Sequence, residues 1–327
     1  MSDLLFTLNA VLPIILLVAL GYCLKKIKLV TPAGAKEMNK LVFRVFLPAM
    51  LFLNVYGIES LSTVNLGYVL YVCIVVLFIF FAALVVFRFI TKDKKRRGAL
   101  MQSAFRSNYA LVGIPLAISI FGNEGGIYAT LLSAFSIPLF NILAVIALGI
   151  NAGENTGKVS IKKIILGIVK NPLILSIAAG AVALCIRAIF IECGIEFRLA
   201  DITPVYKVLT QLSSVATPVA LIVLGANFEF SAVLGMKKEI ISGVLARCVI
   251  TPVIGVGLAL TLGIFENAQF AAFVAVFGTP MAVSSVPMAQ EMDSDYELTG
   301  QIVIWSTVIS AFTLFTFIYV LRVIGIF

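Results

Sequence analysis

Two stretches of an otherwise apolar chain carry residues able to bind an ion. RSNYALVGIP (106–115) holds Arg106, Ser107, Asn108, Tyr109, Gly113, Ile114 and Pro115. GTPMAVSSVPMAQ (278–290) holds Thr279, Pro280, Ser284, Ser285, Pro287 and Gln290, with Glu291 next in the chain. Proline lacks the backbone donor and its ring clashes with the carbonyl one turn back, so each stretch reads as an interruption in a helix. An interrupted helix leaves N–H groups free where it restarts and carbonyls free where it stops. Inside a bilayer those groups need partners, and the restart favours an anion while the stop favours a cation. The restarts are expected near Gly113–Leu116 and Pro287–Met288, and the carbonyl ends near Ser107 and Thr279.

The expected substrate contacts are therefore Asn108, Tyr109, Gly113, Ile114, Pro115, Pro280, Ser284, Ser285 and Pro287. Asn108 offers both a donor and an acceptor, and the serine pair offers hydroxyls. Ser107, Thr279, Gln290 and Glu291 are candidates for a coupling cation, Na+ or H+. The acidic run EMDSDYE (291–297) also reads simply as a solvated turn.

Arg106 and Arg247 each lie roughly eight residues, or about 12 Å, from the basic end of their span. No Asp or Glu sits comparably deep. Arg106 either faces the site or snorkels to the interface. Arg247, in LARCVITP (245–252), needs compensation from backbone carbonyls, water or an arriving anion. The expected substrate is a small carboxylate, a malate-like dicarboxylate ahead of an aromatic acid, with Arg247 supporting its site directly or through other residues.

The elements that must position these residues are membrane spans. The chain has 327 residues, 61% hydrophobic and 12% charged, outside the balance of a soluble domain. About twenty apolar residues cross the hydrocarbon core as a helix. Ten such stretches are read at 4–24, 40–58, 66–90, 98–121, 126–150, 162–189, 204–226, 239–263, 268–291 and 297–323. Lysines follow the first apolar run instead of preceding it, so that run is expected to be a retained span and not a secretory leader.

The net charge of +8 does not point to nucleic acid, because Lys and Arg sort by connection. They crowd into 25–40, 88–98, 158–163 and 237–238, whereas 56–65, 121–126 and 265–269 have none. The positive-inside rule then places both termini outside a cytoplasmic membrane. The basic linker 151–163 separates a first five-span half (1–150) from a second (164–327). Five is odd, so the halves enter the membrane in opposite senses, the arithmetic of an inverted repeat in transporters. The interrupted spans are the fourth of each half.

The chain has no histidine, and its five cysteines form no paired motif. Metal, thiol and enzymatic chemistry are not expected, nor a resident cofactor. An ion channel or membrane sensor remains an alternative class.

NYALVGIPL (108–116) closely resembles the signature of the auxin efflux carrier family, which includes plant auxin exporters and bacterial permeases for malate-like acids. VPMAQEMDSDYELTGQIVIWSTVIS (286–310), with Ser306, Thr307 and Ser310, resembles the family's ninth and tenth spans, and QLSSVATPVALIVLGANF (211–228) its seventh. The basic residue a few positions before Pro252 matches the eighth. The resemblance implies an all-α fold of ten helices shared with bile-acid:sodium symporters, with the fourth and ninth helices broken and crossing. Spans 1, 2, 6 and 7 would form a scaffold, as a homodimer, and spans 3–5 and 8–10 a mobile core that carries a small organic anion past it like an elevator. A sodium-coupled bile-acid-like symporter is the related alternative. Ser107 stands where plant exporters have proline, and the long cytoplasmic loop of those exporters is replaced by 151–163, so auxin itself is not the expected cargo.

Overall fold

A computed structural model describes residues 2–58, 66–151, 166, 169–229 and 232–327. The linker expected at 151–163 lies outside the described residues except for Asn151, and so do most of the outer connection 56–65 and the start of the sixth span. The described chain is helical without strands. Its helices are α1 (Ser2–Lys26), α2 (Pro32–Leu41), α3 (Leu47–Tyr56), α4 (Leu66–Ile90), α5 (Lys94–Phe105), α6 (Ile114–Asn151) and α7 (Pro172–Glu192). They continue with α8 (Thr203–Asn227), α9 (Ala232–Gly235), α10 (Lys237–Leu245), α11 (Thr251–Leu262), α12 (Asn267–Gly278), α13 (Ser285–Glu291) and α14 (Tyr296–Val323). Among the described residues seven helical stretches are long and apolar enough to cross a membrane.

Three joints share one design. The five-residue π-turns Val42–Phe46, Tyr109–Gly113 and Ala246–Ile250 each run into a helix with proline at its second position: Pro48, Pro115 and Pro252. The wide turn accommodates the missing donor and the ring without ending the helix. α6 is bent differently, with Phe121 and Gly122 leaving helical geometry between its two parts.

One expected boundary moves. The second span begins at Pro32, not 40, because the Thr31 side chain accepts from the Gly34 N–H and Pro32 occupies the first helical position. Further along, α7 starts at Pro172, where Asn171 Oδ1 accepts from the Leu173 N–H.

The helices associate in two groups. α8 packs against α1, α2 and α3, and α3 also packs against α7. α1 and α8 touch backbone to backbone: a Cβ at Gly21 would overlap the Ile222 carbonyl, and one at Gly225 would overlap that of Val18. In the other group α12 lies against α6 and α11, α5 lies against α4 and α6, and α10 and α13 lie against α14. α12 is buried along nearly its whole length, which suits a sequence, NAQFAAFVAVFG, that is apolar on every face.

One end of the molecule is tied by ions. Arg96 meets Glu239 at 3.0 Å and Asp295 at 3.4 Å, Lys95 meets Asp293 at 2.6 Å, and Lys25 meets Glu229 at 3.3 Å. In the acidic run Asp293 and Asp295 pair with the basic first turn of α5, while Asp293 and Glu297 remain exposed to solvent.

Candidate functional site

Both interruptions form, and they meet. α5 stops at Phe105 and the chain restarts in the π-turn at Tyr109; α12 stops at Gly278 and α13 restarts at Ser285. The first restart therefore comes four residues before the expected Gly113. The two open segments cross as an isolated antiparallel bridge between Ser107 and Met281. The Asn108 N–H donates to the Pro280 carbonyl at 2.7 Å, and the Ala282 N–H donates to the Arg106 carbonyl at 3.2 Å. Each break satisfies part of the other's backbone, the condition for exposing peptide groups at membrane depth. The Ser306 hydroxyl accepts from the Met281 N–H at 3.2 Å, so the tenth-span serine motif holds the second break open.

A cavity of about 100 Å³ lies at the crossing. Arg106, Ser107, Asn108, Tyr109, Ala282 and Ser284 line it from the breaks, Asn141 from α6, and Asn54 and Thr217 from the opposing helices α3 and α8. Among the described residues no acidic one lines it.

Arg106 is 1% exposed, so it does not snorkel. It donates to Asn141 Oδ1 at 2.7 Å, Gln102 Oε1 at 2.9 Å, Ser284 Oγ at 3.0 Å and Met288 Sδ at 3.3 Å. All four acceptors are neutral, leaving a buried positive charge solvated by dipoles and not cancelled. Because Ser284 Oγ accepts from Arg106, its own hydrogen is available to a ligand, made more acidic by the guanidinium. The side-chain amide nitrogens of Asn108 and Asn54 are buried without partners among the described residues.

The other expected residues sort around this centre. Tyr109 donates from its hydroxyl to the Ala129 carbonyl at 2.8 Å and presents its body to the cavity. Gly113, Ile114 and Pro115 lie off the cavity; a Cβ at Gly113 would collide with the Tyr109 ring, so that glycine serves close packing. Pro280 contributes its carbonyl to the bridge, and Ser285 is fully buried with its hydroxyl unpartnered. The Thr279 and Ser107 hydroxyls are 3.2 Å apart, and Thr279 donates to the Ala275 carbonyl at 2.7 Å. Pro287 and Glu291 face the basic end: Asn39 donates to the Pro287 carbonyl at 3.5 Å, and Arg44 lies 3.6 Å from Glu291. Gln290 is beside them and its Oε1 has no partner.

Arg247 does not line the cavity. It is 0% exposed and lies behind the crossing, donating to the carbonyls of Ala104 at 3.3 Å, Val276 at 3.1 Å and Phe277 at 2.5 Å. Backbone carbonyls, one of the three kinds of compensation open to it, surround its guanidinium.

The crossing cavity shares Asn54 with a larger one of about 900 Å³, bounded by Gly57, Ile58, Asn123, Thr130 and Ser133 at the end away from the ion pairs. Toward the basic end lie the Asn39–Pro287 and Arg44–Glu291 contacts.

Reading only breaks and charges misses Asn54, Gln102, Asn141 and Thr217. For Asn54 and Asn141 the signal is present: lone amides in apolar spans, as in LPAMLFLNVY and IPLFNILAV. A polar group at that depth marks a functional position by default.

These features agree with what the chain resembles by sequence. A family model described as membrane transport protein matches residues 6–318. An uncharacterized transporter of Methanothermobacter thermautotrophicus is 24% identical over 311 residues, covering 94% of this chain and 95% of that one. An uncharacterized transporter of Methanocaldococcus jannaschii is 27% identical over 253 residues, covering 75% and 76%. With nearly the whole chain matched, and with buried cationic chemistry at a crossing of two broken helices, the protein belongs to the membrane transport protein family, that of the auxin efflux carriers.

Proposed function

We propose that this chain is a secondary carrier for a small organic anion, most simply a malate-like carboxylate. The observation that carries the reading is the uncancelled charge of Arg106 beside a cavity whose free donors are the Asn54 and Asn108 amides and the Ser284 hydroxyl. A carboxylate accepts from such donors and supplies the missing countercharge. The cavity of about 100 Å³ suits a compact acid; an aromatic acid or a bile-acid-sized amphipath needs more room.

The grouping of helices supports an elevator. α1–α3, α7 and α8 would be the scaffold, as a homodimer in a cytoplasmic membrane, and the remaining helices a core built from two inverted five-span repeats, ten spans in all, with both termini outside. Asn54 and Thr217 face the site from the scaffold, so a sliding core would leave them behind. The larger cavity lies toward Gly57 and Asn123 and the Arg44–Glu291 pair toward the basic end, which together with the charge sorting supports an outward-facing reading.

Counterflow of radiolabelled malate into proteoliposomes loaded with unlabelled malate tests this directly. A carrier exchanges internal for external substrate, whereas a channel shows no transient accumulation. Absence of counterflow with malate and with other small carboxylates would overturn the reading.

A further inference from the structure

We infer that Arg247 is a built-in counter-cation, filling with a covalently attached guanidinium the place at the crossing where a soluble coupling cation would otherwise bind. The inference rests on the carrier reading above and extends it to coupling. α5 and α12 both end at the crossing, and each helix C-terminus carries about half a negative charge concentrated on its last carbonyls. Broken-helix transporters use such carbonyls to coordinate a monovalent cation.

Here the carbonyls are already taken. Arg247 bonds the Ala104 carbonyl near the end of α5 and the Val276 and Phe277 carbonyls near the end of α12, and the Thr251 hydroxyl adds a second donor to Ala104 at 2.7 Å. Two half-charges meet one whole charge, so the C-terminal side of the crossing is neutral with no carboxylate and no free ion. The hydroxyls expected to assist a cation, those of Ser107 and Thr279, are engaged with each other and with Ala275. The π-turn Ala246–Ile250 is what places Arg247 between the two helix ends, and no hydrogen-bond partner reaches its Nε.

Transport by this chain therefore takes up no Na+ at the crossing. Truncating Arg247 leaves three carbonyls and the Thr251 hydroxyl around a vacancy, an all-oxygen shell suited to Na+, Li+ or free guanidinium.

The test compares wild type with Arg247→Ala and Arg247→Lys by malate counterflow in sodium and in choline medium. Wild-type rates are expected to differ by less than about twofold between the two media. Arg247→Ala is expected to lose roughly tenfold or more in choline and to recover when Na+ or guanidinium is added. Arg247→Lys, which keeps the charge, stays insensitive to the medium. Strict Na+ dependence of the wild type overturns the inference, as does a folded Arg247→Ala protein that ignores both Na+ and guanidinium. Thermal unfolding in detergent gives a readout that does not need transport. Na+ is expected to leave wild-type melting unchanged, and a Na+-specific rise there counts against the inference even if Arg247→Ala cannot be purified. If no carboxylate shows counterflow, the carrier reading fails by itself, while the melting data still decide the role of Arg247.

Discussion

Arg106 and Arg247 occupy opposite faces of the same crossing, both buried and neither near a carboxylate, yet their surroundings differ in kind. Arg247 is held by main-chain carbonyls whose positions are set by two helices, so its charge is cancelled by fixed dipoles. Arg106 is held by an asparagine, a glutamine, a serine and a methionine sulfur, beside a cavity. Side chains can rotate toward a ligand and carbonyls in a helix cannot. The arginine that completes the fold is therefore the one turned away from the cavity, and the one left for an anion is solvated by movable groups.

The sharpest way to break this contrast is Arg106→Ala. It should reduce malate counterflow by roughly 100-fold or more, since losing a buried charge that pairs with the ligand costs about 2–5 kcal/mol. Arg106→Lys should recover only a small part, because an ammonium cannot span Asn141 and Ser284 as the planar fork does. Initial rates in proteoliposomes measure both, and a near-normal Arg106→Ala protein would remove the anion from this face.

Arg247→Ala should show the opposite balance, with stability falling first. Each buried carbonyl left without a donor costs about 1–3 kcal/mol, so the melting temperature in detergent should drop by several degrees even where transport is rescued. Unchanged melting would mean that the carbonyls were not being satisfied by the guanidinium.

Asn108→Ala comes next. The backbone bridge to Pro280 is kept while the free amide is lost, so expression and melting should hold and the apparent Km for malate should rise by roughly tenfold or more. Asn54→Ala should produce a smaller rise, about threefold to tenfold, and mainly for substrate offered from outside, because Asn54 belongs to the helix the core slides against. Equal effects on uptake and efflux would weaken the division into moving and fixed helices.

The smallest expected effect is at the basic end. The Arg44–Glu291 contact is long and Arg44 is largely exposed, so Glu291→Gln should shift the balance between the two orientations by no more than several-fold, about 1 kcal/mol or less. Labelling of a cysteine placed at Asn123 by an impermeant thiol reagent reports that shift.

Much of this was readable in the chain. Pro280 and Pro287 with Ser284 and Ser285 between them announce the second interruption through local proline chemistry, whereas at the first the chain opens at 106–108, before Pro115, so it is the polar run Arg106, Ser107 and Asn108 that marks it. The sorting of lysines and arginines among connections is likewise a property of the string. The side chains that complete the site were less legible: Asn54, Asn141 and Thr217 look like isolated polar residues in separate spans, and nothing in their spacing tells which face of each helix meets the crossing.

The same limit separates the two arginines. Sequence by itself determined that both lie deep and that no nearby acid neutralises them, because depth follows from residue count and the acids can be counted. It could not determine what neutralises each one. That was decided by which helix ends converge behind the crossing and which side chains converge in front of it. Those distances, between Arg247 and carbonyls 29, 30 and 143 positions away and between Arg106 and groups 35, 178 and 182 positions away, exist only once the helices have packed.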